Sequence, residues 1–297
     1  MAAQDLPGRI RVNGDALVVG VDGSDESDRA LRWAAATARK RQEPLRVVHG
    51  FAPLPGFYGG GLPALTKAYE ALVKASDELV ADGIRIAREV GGPELAITAE
   101  KPTEPGPVAL IEASRRARAV VLGCSGTGGF EGMLVGSTTV EVAAHAHCPV
   151  VVVRGRAEPD GPVVVGLDGS ATSDRALATA FDEASWRQTG LVAVHAWADA
   201  DAGLPARWSE IERDEQRLLA EQLAGWQEKY PDVRIERVLV RDRPRHQLLS
   251  WSTRAQLVVV GSRGRGGFSG LLLGSTSQAL IHHAQCPVMV VRADEAT

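Results

Sequence analysis

The chain has 297 residues, 44% hydrophobic and 24% charged, enough for a packed core and for two domains. A formal net charge of −4, without blocks of like charge, argues against nucleic acid as the main partner. No apolar run reaches the roughly 18–20 residues of a membrane span, the start (Met1–Asp15) is polar and unlike a signal peptide, and three cysteines make no disulfide framework. The expectation is a soluble cytoplasmic α/β protein with neither a nucleic-acid nor a membrane partner.

In chain order, Ala16–Val21 reads as a buried strand ending in Asp22-Gly23-Ser24, with Ser24 as N-cap of an amphipathic helix through Ala30, Leu31, Ala34, Ala35 and Ala38. Leu45–His49 is a second strand. The stretch Phe51–Leu65, rich in glycine and proline, fits neither helix nor strand. A long polar helix over Thr66–Val90 follows, then a strand around Leu95–Ala99, a helix over Val108–Arg118 and a solidly apolar strand, Ala119–Leu122. A glycine-rich loop leads into a helix read as running to Cys148, and Pro149 forces a last extended strand.

The series then repeats. Gly20–Leu31 returns as Gly166–Leu177 with nine of twelve residues identical, and His145–Arg154 returns as His283–Arg292 with eight of ten. The offset is 146 residues at the first turn and 138 at the glycine loop, so the first copy carries eight extra residues between them. Two copies of this length mean two homologous domains, 1–154 and 163–297, joined by a linker over 155–162 that holds two glycines and two prolines. In the second copy the strands are Leu191–His195, Val233–Leu239 and Leu257–Val260, and the helices Ser209–Tyr230 and Arg245–Arg254; the last helix is read as running to Cys286, before Pro287. Strand–helix alternation predicts two doubly wound, mostly parallel sheets, each a three-layer Rossmann-like α/β/α domain with its ligand at the carboxyl ends of the strands.

The glycine loops carry the chemistry. Gly123–Thr139 and Gly261–Ser277 agree at ten of seventeen positions, and each runs from a strand to a helix N-terminus. Converging backbone N–H groups, the helix dipole and close approach at glycine together suit a phosphate. Neither loop is a Walker loop, since serine follows the last glycine and lysine is absent; nor does Gly-x-Gly-x-x-Gly follow the first strand. The shared pattern is Gly-x2-Gly-x9-Gly-Ser: Gly123, Gly126, Gly136, Ser137, and Gly261, Gly264, Gly274, Ser275. With the Asp-Gly-Ser turn and the Cys-Pro-Val strand, it resembles the universal stress protein family, in the tandem form of its ATP-binding branch.

The resemblance implies ATP in both domains, with or without Mg2+; no residue is assigned a catalytic or metal-ligating role. It places Gly20, Val21 and Asp22 with Gly166, Leu167 and Asp168 beside the nucleoside, and Gly50 and Ala196 at the base. It places Gly123, Cys124, Ser125, Gly126, Thr127, Gly128, Gly129, Gly136, Ser137 and Thr138 along the phosphates of the first site. In the second site the same role falls to Gly261, Ser262, Arg263, Gly264, Arg265, Gly266, Gly267, Gly274, Ser275, Thr276 and Ser277. It also implies pairing of domains through the last strands, Val150–Val153 and Val288–Val291, within the chain or in a homodimer.

From the residues themselves, Asp22 and Asp168 have two readings: partners for ribose hydroxyls, the adenine edge or a metal, or caps of the turn into the first helix. His49 and His195 read as strand-end packing, Cys148 and Cys286 as core, Cys124 as a loop residue with Ser262 in its place in the other copy, and the tryptophans as packing. Arg263 and Arg265 stand where the first loop has Ser125 and Thr127, which predicts tighter nucleotide binding in the second domain. Three functions remain: a nucleotide-dependent regulator of stress response or growth arrest, a slow ATPase or phosphotransferase, and a non-catalytic interaction scaffold. Finding no base to set against the phosphates favours the first.

Overall fold

The computed structural model describes residues 16–52, 63–126, 135–156, 158–197, 208–265 and 273–292, with the backbone alone for 63–65 and 208–210. These residues divide into two compact units, one ending at Val153 and the other beginning at Arg154. The polar start, residues 53–62, Thr127–Gly129, and Gly266 and Gly267 lie outside the described residues.

The first unit runs β1 (Ala16–Gly20), α1 (Asp25–Arg41), β2 (Leu45–Val48), α2 (Pro63–Gly91), β3 (Ile97–Glu100), α3 (Gly106–Ser114), β4 (Ala117–Gly123), α4 (Ser137–His145) and β5 (Val150–Val153). The second runs β6 (Val163–Leu167), α5 (Ala171–Arg187), β7 (Leu191–Trp197), α6 (Trp208–Leu223), α7 (Trp226–Lys229), β8 (Ile235–Arg241), α8 (Pro244–Trp251), β9 (Leu257–Gly261), α9 (Ser275–His283) and β10 (Val288–Val291). Within the first unit the strand order is β3-β2-β1-β4-β5, and within the second β8-β7-β6-β9-β10, every pair parallel. This is the expected doubly wound α/β fold. The strand order reverses between β1 and β4, and between β6 and β9, so a crevice opens at their carboxyl ends.

The central strands are continuous apolar runs because helices cover both faces. Val18, Val19, Val120, Val121, Val150 and Val151 are fully buried, as are Val163, Val164, Val165, Val258 and Val259. Helices α1 and α5 bury the alanine and leucine stripe read from the sequence, each started by a serine cap: Ser27 N–H donates to Ser24 Oγ at 3.1 Å, and Ser173 N–H to Ser170 Oγ at 3.2 Å.

Several boundaries differ from the sequence reading. Helix α3 ends at Ser114 rather than Arg118, and β4 begins at Ala117, because Arg118 reaches across to Glu43 (3.4 Å) while its neighbours turn inward. The last helices stop at His145 and His283, not at the cysteines. The next backbone turns are held from outside: His147 N–H donates to Ser114 Oγ at 2.8 Å, and Gln285 N–H to Ser252 Oγ at 3.0 Å. Strands β7 and β8 run on to Trp197 and Arg241, and α2 starts at Pro63, inside the stretch read as irregular. The helix read over Ser209–Tyr230 is broken at Gly225, whose φ of 77° is left-handed. The break lets α7 lay Trp226 on Phe181 (4.9 Å between centroids, 8° between planes) with Tyr230 beside it at 5.3 Å. The first copy has Ala35 where the second has Phe181, so α2 there needs no break. Gly155–Pro162, read as a linker, is docked on the second unit. Arg156 N–H donates to Gln285 O at 2.8 Å, Gln256 Nε2 to Gly161 O at 2.7 Å, and Arg154 Nε to Ala284 O at 2.7 Å.

Candidate functional site

A cavity opens at each switch point, about 330 Å³ in the first unit and about 390 Å³ in the second. Its floor is the end of the first strand and its far wall the glycine loop with the helix behind it. Of the residues proposed from sequence, Gly20, Val21, Asp22, Gly50, Gly123, Ser125, Gly126, Gly136, Ser137 and Thr138 line the first cavity. Gly166, Leu167, Asp168, Ala196, Gly261, Arg263, Gly264, Arg265, Gly274, Ser275, Thr276 and Ser277 line the second. Cys124 and Ser262 do not; Ser262 is 3% exposed and its carbonyl accepts the Gly274 N–H at 2.7 Å, as the Cys124 carbonyl accepts that of Gly136.

Sequence reasoning missed the wall facing the loop. Gly106, Pro107 and Leu110 of α3, and Pro244 and Leu248 of α8, complete the cavities, as do Ser27 and Ser173 beneath. The signal for the serines was present, since Ser-Asp-Arg-Ala-Leu is identical in the two copies. The proline-led helices had no such signal, being matched as Gly-Pro-Val-Ala-Leu and Pro-Arg-His-Gln-Leu.

Each loop is pinned at both ends. Val135 and Leu273, just before the return glycines, are 5% and 2% exposed. Thr139 Oγ1 donates to Gly123 O at 2.8 Å, and Ser277 Oγ to Gly261 O at 3.0 Å and Ser262 O at 3.1 Å. The Ser277 hydroxyl, proposed for phosphate, is thus engaged with the loop's own backbone. Helices α4 and α9 begin at Gly136 and Gly274 without any side-chain cap and with no acid in the first turn. Their leading N–H groups therefore face the cavity with the positive end of the helix dipole behind them.

The aspartates cap the turn, one of the two readings given for them, and Asp168 holds the loop as well. Asp168 Oδ1 accepts from Ser170 N–H (3.0 Å) and Ser170 Oγ (2.6 Å), capping the turn, while Oδ2 accepts from Arg265 N–H at 2.9 Å and so ties the loop down. Asp22 Oδ1 makes the same bonds to Ser24, at 3.0 and 2.6 Å. A Cβ on Gly126 or Gly264 would lie 2.2 Å from the Oδ2 of Asp22 or Asp168, so any side chain there would displace the carboxylate or the loop. The carboxylate remains at the cavity edge, but its lone pairs are largely used.

The histidines differ between copies. His195 is 3% exposed, its Nδ1 donating to Leu167 O at 2.8 Å and its Nε2 lying 2.6 Å from Glu215 Oε2, so it packs as read. His49 makes the matching Nδ1 bond to Val21 O at 2.8 Å but lines the first cavity, a correction to its reading as packing alone. Burial pushes the thiols of Cys148 and Cys286 up to about 12. A thiol reagent at pH 8 is expected to label Cys124 alone in the folded protein and all three cysteines after unfolding; labelling of three in the native state would contradict this burial. Among the described residues no group of three or more His, Cys, Asp or Glu could hold a metal ion, and no helix is long and apolar enough to cross a membrane.

A family model described as the universal stress protein family matches residues 15–154 and 161–292. The chain belongs to that family. A universal stress protein of Mycobacterium tuberculosis is 42% identical over 292 residues, covering 93% of this chain and 96% of the relative. One of Mycolicibacterium smegmatis is 42% identical over 284 residues, with the same coverage. The crystal structure of a universal stress protein from Archaeoglobus fulgidus matches the fold with a TM-score of 0.68 at 20% identity, over 95% of this chain and 99% of that one. The tandem Rossmann-like architecture is therefore that of two-domain universal stress proteins.

Proposed function

We propose that this universal stress protein binds adenine nucleotide, ATP above all, in both cavities, and that occupancy rather than turnover carries a signal in stress response or growth arrest. The observation that supports it most is the uncapped helix N-terminus at the end of each pinned Gly-x2-Gly-x9-Gly-Ser loop, opening on a cavity of nucleotide size. Arg263 and Arg265 at the rim of the second cavity add charge that the first lacks, which favours tighter ATP binding there. Any Mg2+ would be held mainly by the phosphates, since the one carboxylate among the described lining residues of each cavity is already hydrogen-bonded to the protein.

That same engagement argues against Asp168 as a catalytic base, and no other carboxylate lines the second cavity among the described residues. A ligand bound only by the folded form stabilises it by mass action, which links nucleotide level to conformation or to a protein partner, including a second copy of the chain. The test is to purify the protein gently, denature it and identify the nucleotide released. ATP that persists for hours is expected; ADP accumulating with time would favour a slow ATPase, and an empty protein that gains no thermal stability from ATP would favour a scaffold.

A further inference from the structure

The two cavities share a floor, a helix N-terminus and a capped aspartate, yet differ in charge. Within the matched loops the first has one acid, Glu131, and no base, whereas the second has Arg263 and Arg265 and no acid. Of the described residues lining the first cavity, Asp22 is the one with a formal charge, while the second sets both arginines against Asp168. Either helix N-terminus can receive one phosphate group. Among the described lining residues, only those of the second cavity include cations for the further charges of a triphosphate.

The nucleoside side differs as well. The Nδ1–H of His49 is given to Val21 O, so in the neutral ring Nε2 is an acceptor, and it has no hydrogen bond to a described residue. His49 lines the first cavity, and this nitrogen suits a ligand hydroxyl or amino group. In the second cavity the corresponding nitrogen is taken by Glu215 and the ring is buried.

We propose that the two domains prefer different charge classes of nucleotide: a triphosphate in the second, and in the first, which takes ATP more weakly, a purine nucleotide with a single phosphate group, a monophosphate or a cyclic monophosphate, its nucleoside bonded to His49. This rests on the nucleotide-binding reading above and divides it between the sites. A chain built in this way responds to the ratio of a triphosphate to its single-phosphate products.

The test uses the intact protein, titrated calorimetrically with ATP, AMP and cyclic AMP in turn, while the alkylation rate of Cys124, next to the first cavity's wall, reports on that cavity. ATP is expected to fill one tight site per chain and to slow alkylation only at concentrations about tenfold or more above those at which AMP or cyclic AMP slows it, because its two further phosphates meet Asp22 and no cation among the described lining residues. Which of the two acts at lower concentration distinguishes the open from the cyclic phosphate. Raising the salt is expected to weaken ATP binding more than that of the single-phosphate ligand, because both arginines are exposed. Exchanging the loop charges by Ser125→Arg and Thr127→Arg is expected to tighten ATP at the first cavity about tenfold. Two ATP sites of equal affinity in the unaltered protein would overturn the proposal, whether or not that variant folds. Binding of no nucleotide at either cavity would overturn the proposed function itself, and this inference with it.

Discussion

Gly264→Val is expected to weaken ATP binding in the second domain by about tenfold to a hundredfold while leaving the domain folded. The new Cβ would lie 2.2 Å from Asp168 Oδ2, so the carboxylate or the loop must move. Either movement breaks the 2.9 Å bond from Arg265 N–H, which positions the loop against the end of β6. A hydrogen bond to a charged group contributes about 1.5–3 kcal/mol, and each 1.4 kcal/mol is about a factor of ten in affinity. The structural cost stays local because Gly264 is exposed and lies outside the core. Calorimetric titration with ATP, with thermal unfolding as the control for folding, measures it. Unchanged affinity would mean that the tether does not shape the site.

Phe181→Ala carries the largest expected loss of stability, about 3–5 kcal/mol in the second domain. Phe181 is fully buried and is the ring on which Trp226 and Tyr230 stack. Removing it leaves a cavity beneath α7, a single turn of helix that cannot fold alone, so that turn loses its anchor with the packing. Urea unfolding followed by tryptophan fluorescence measures the change, and thermal unfolding is expected to show a midpoint lower by about 10 °C or more. A loss below about 1 kcal/mol would show that α7 packs without the stack. The first domain, with Ala35 at the matching position and an unbroken α2, is expected to unfold as before.

The parts legible in the sequence were those written twice. The Asp-Gly-Ser turn, the glycine loop and the Cys-Pro-Val strand recur, and their periodicity gives strand and helix without reference to anything distant. The reading of Ser24 and Ser170 as caps needed only local chemistry, and so did the absence of a Walker lysine. What stayed hidden depended on contacts far apart in the chain. The end of α4 is fixed by His147 bonding to Ser114 of α3, 33 residues away. The start of β4 was obscured by Arg118, whose partner Glu43 lies beyond α1. The wall of each cavity that faces the glycine loop comes from α3 and α8, which approach it only because β4 and β9 cross to the far side of β1 and β6.

The two roles of the aspartates were separable only in three dimensions. Asp168 could be read as a cap or as a ligand partner, and it is a cap that also holds the loop. His49 and His195 occupy matched positions, yet one ring is buried and bonded to Glu215 of α6 while the other lines a cavity. A repeat conserves backbone geometry more strictly than the side chains that meet it from other elements.

The most direct test of nucleotide binding at the switch points is a crystal structure of the protein grown with ATP. Density for the phosphates against the backbone N–H groups of Ser275 and Thr276, with the nucleoside between Asp168 and Ala196, is the result expected. Phosphates bound away from the start of α9, or a second cavity left empty at saturating ATP, would contradict it.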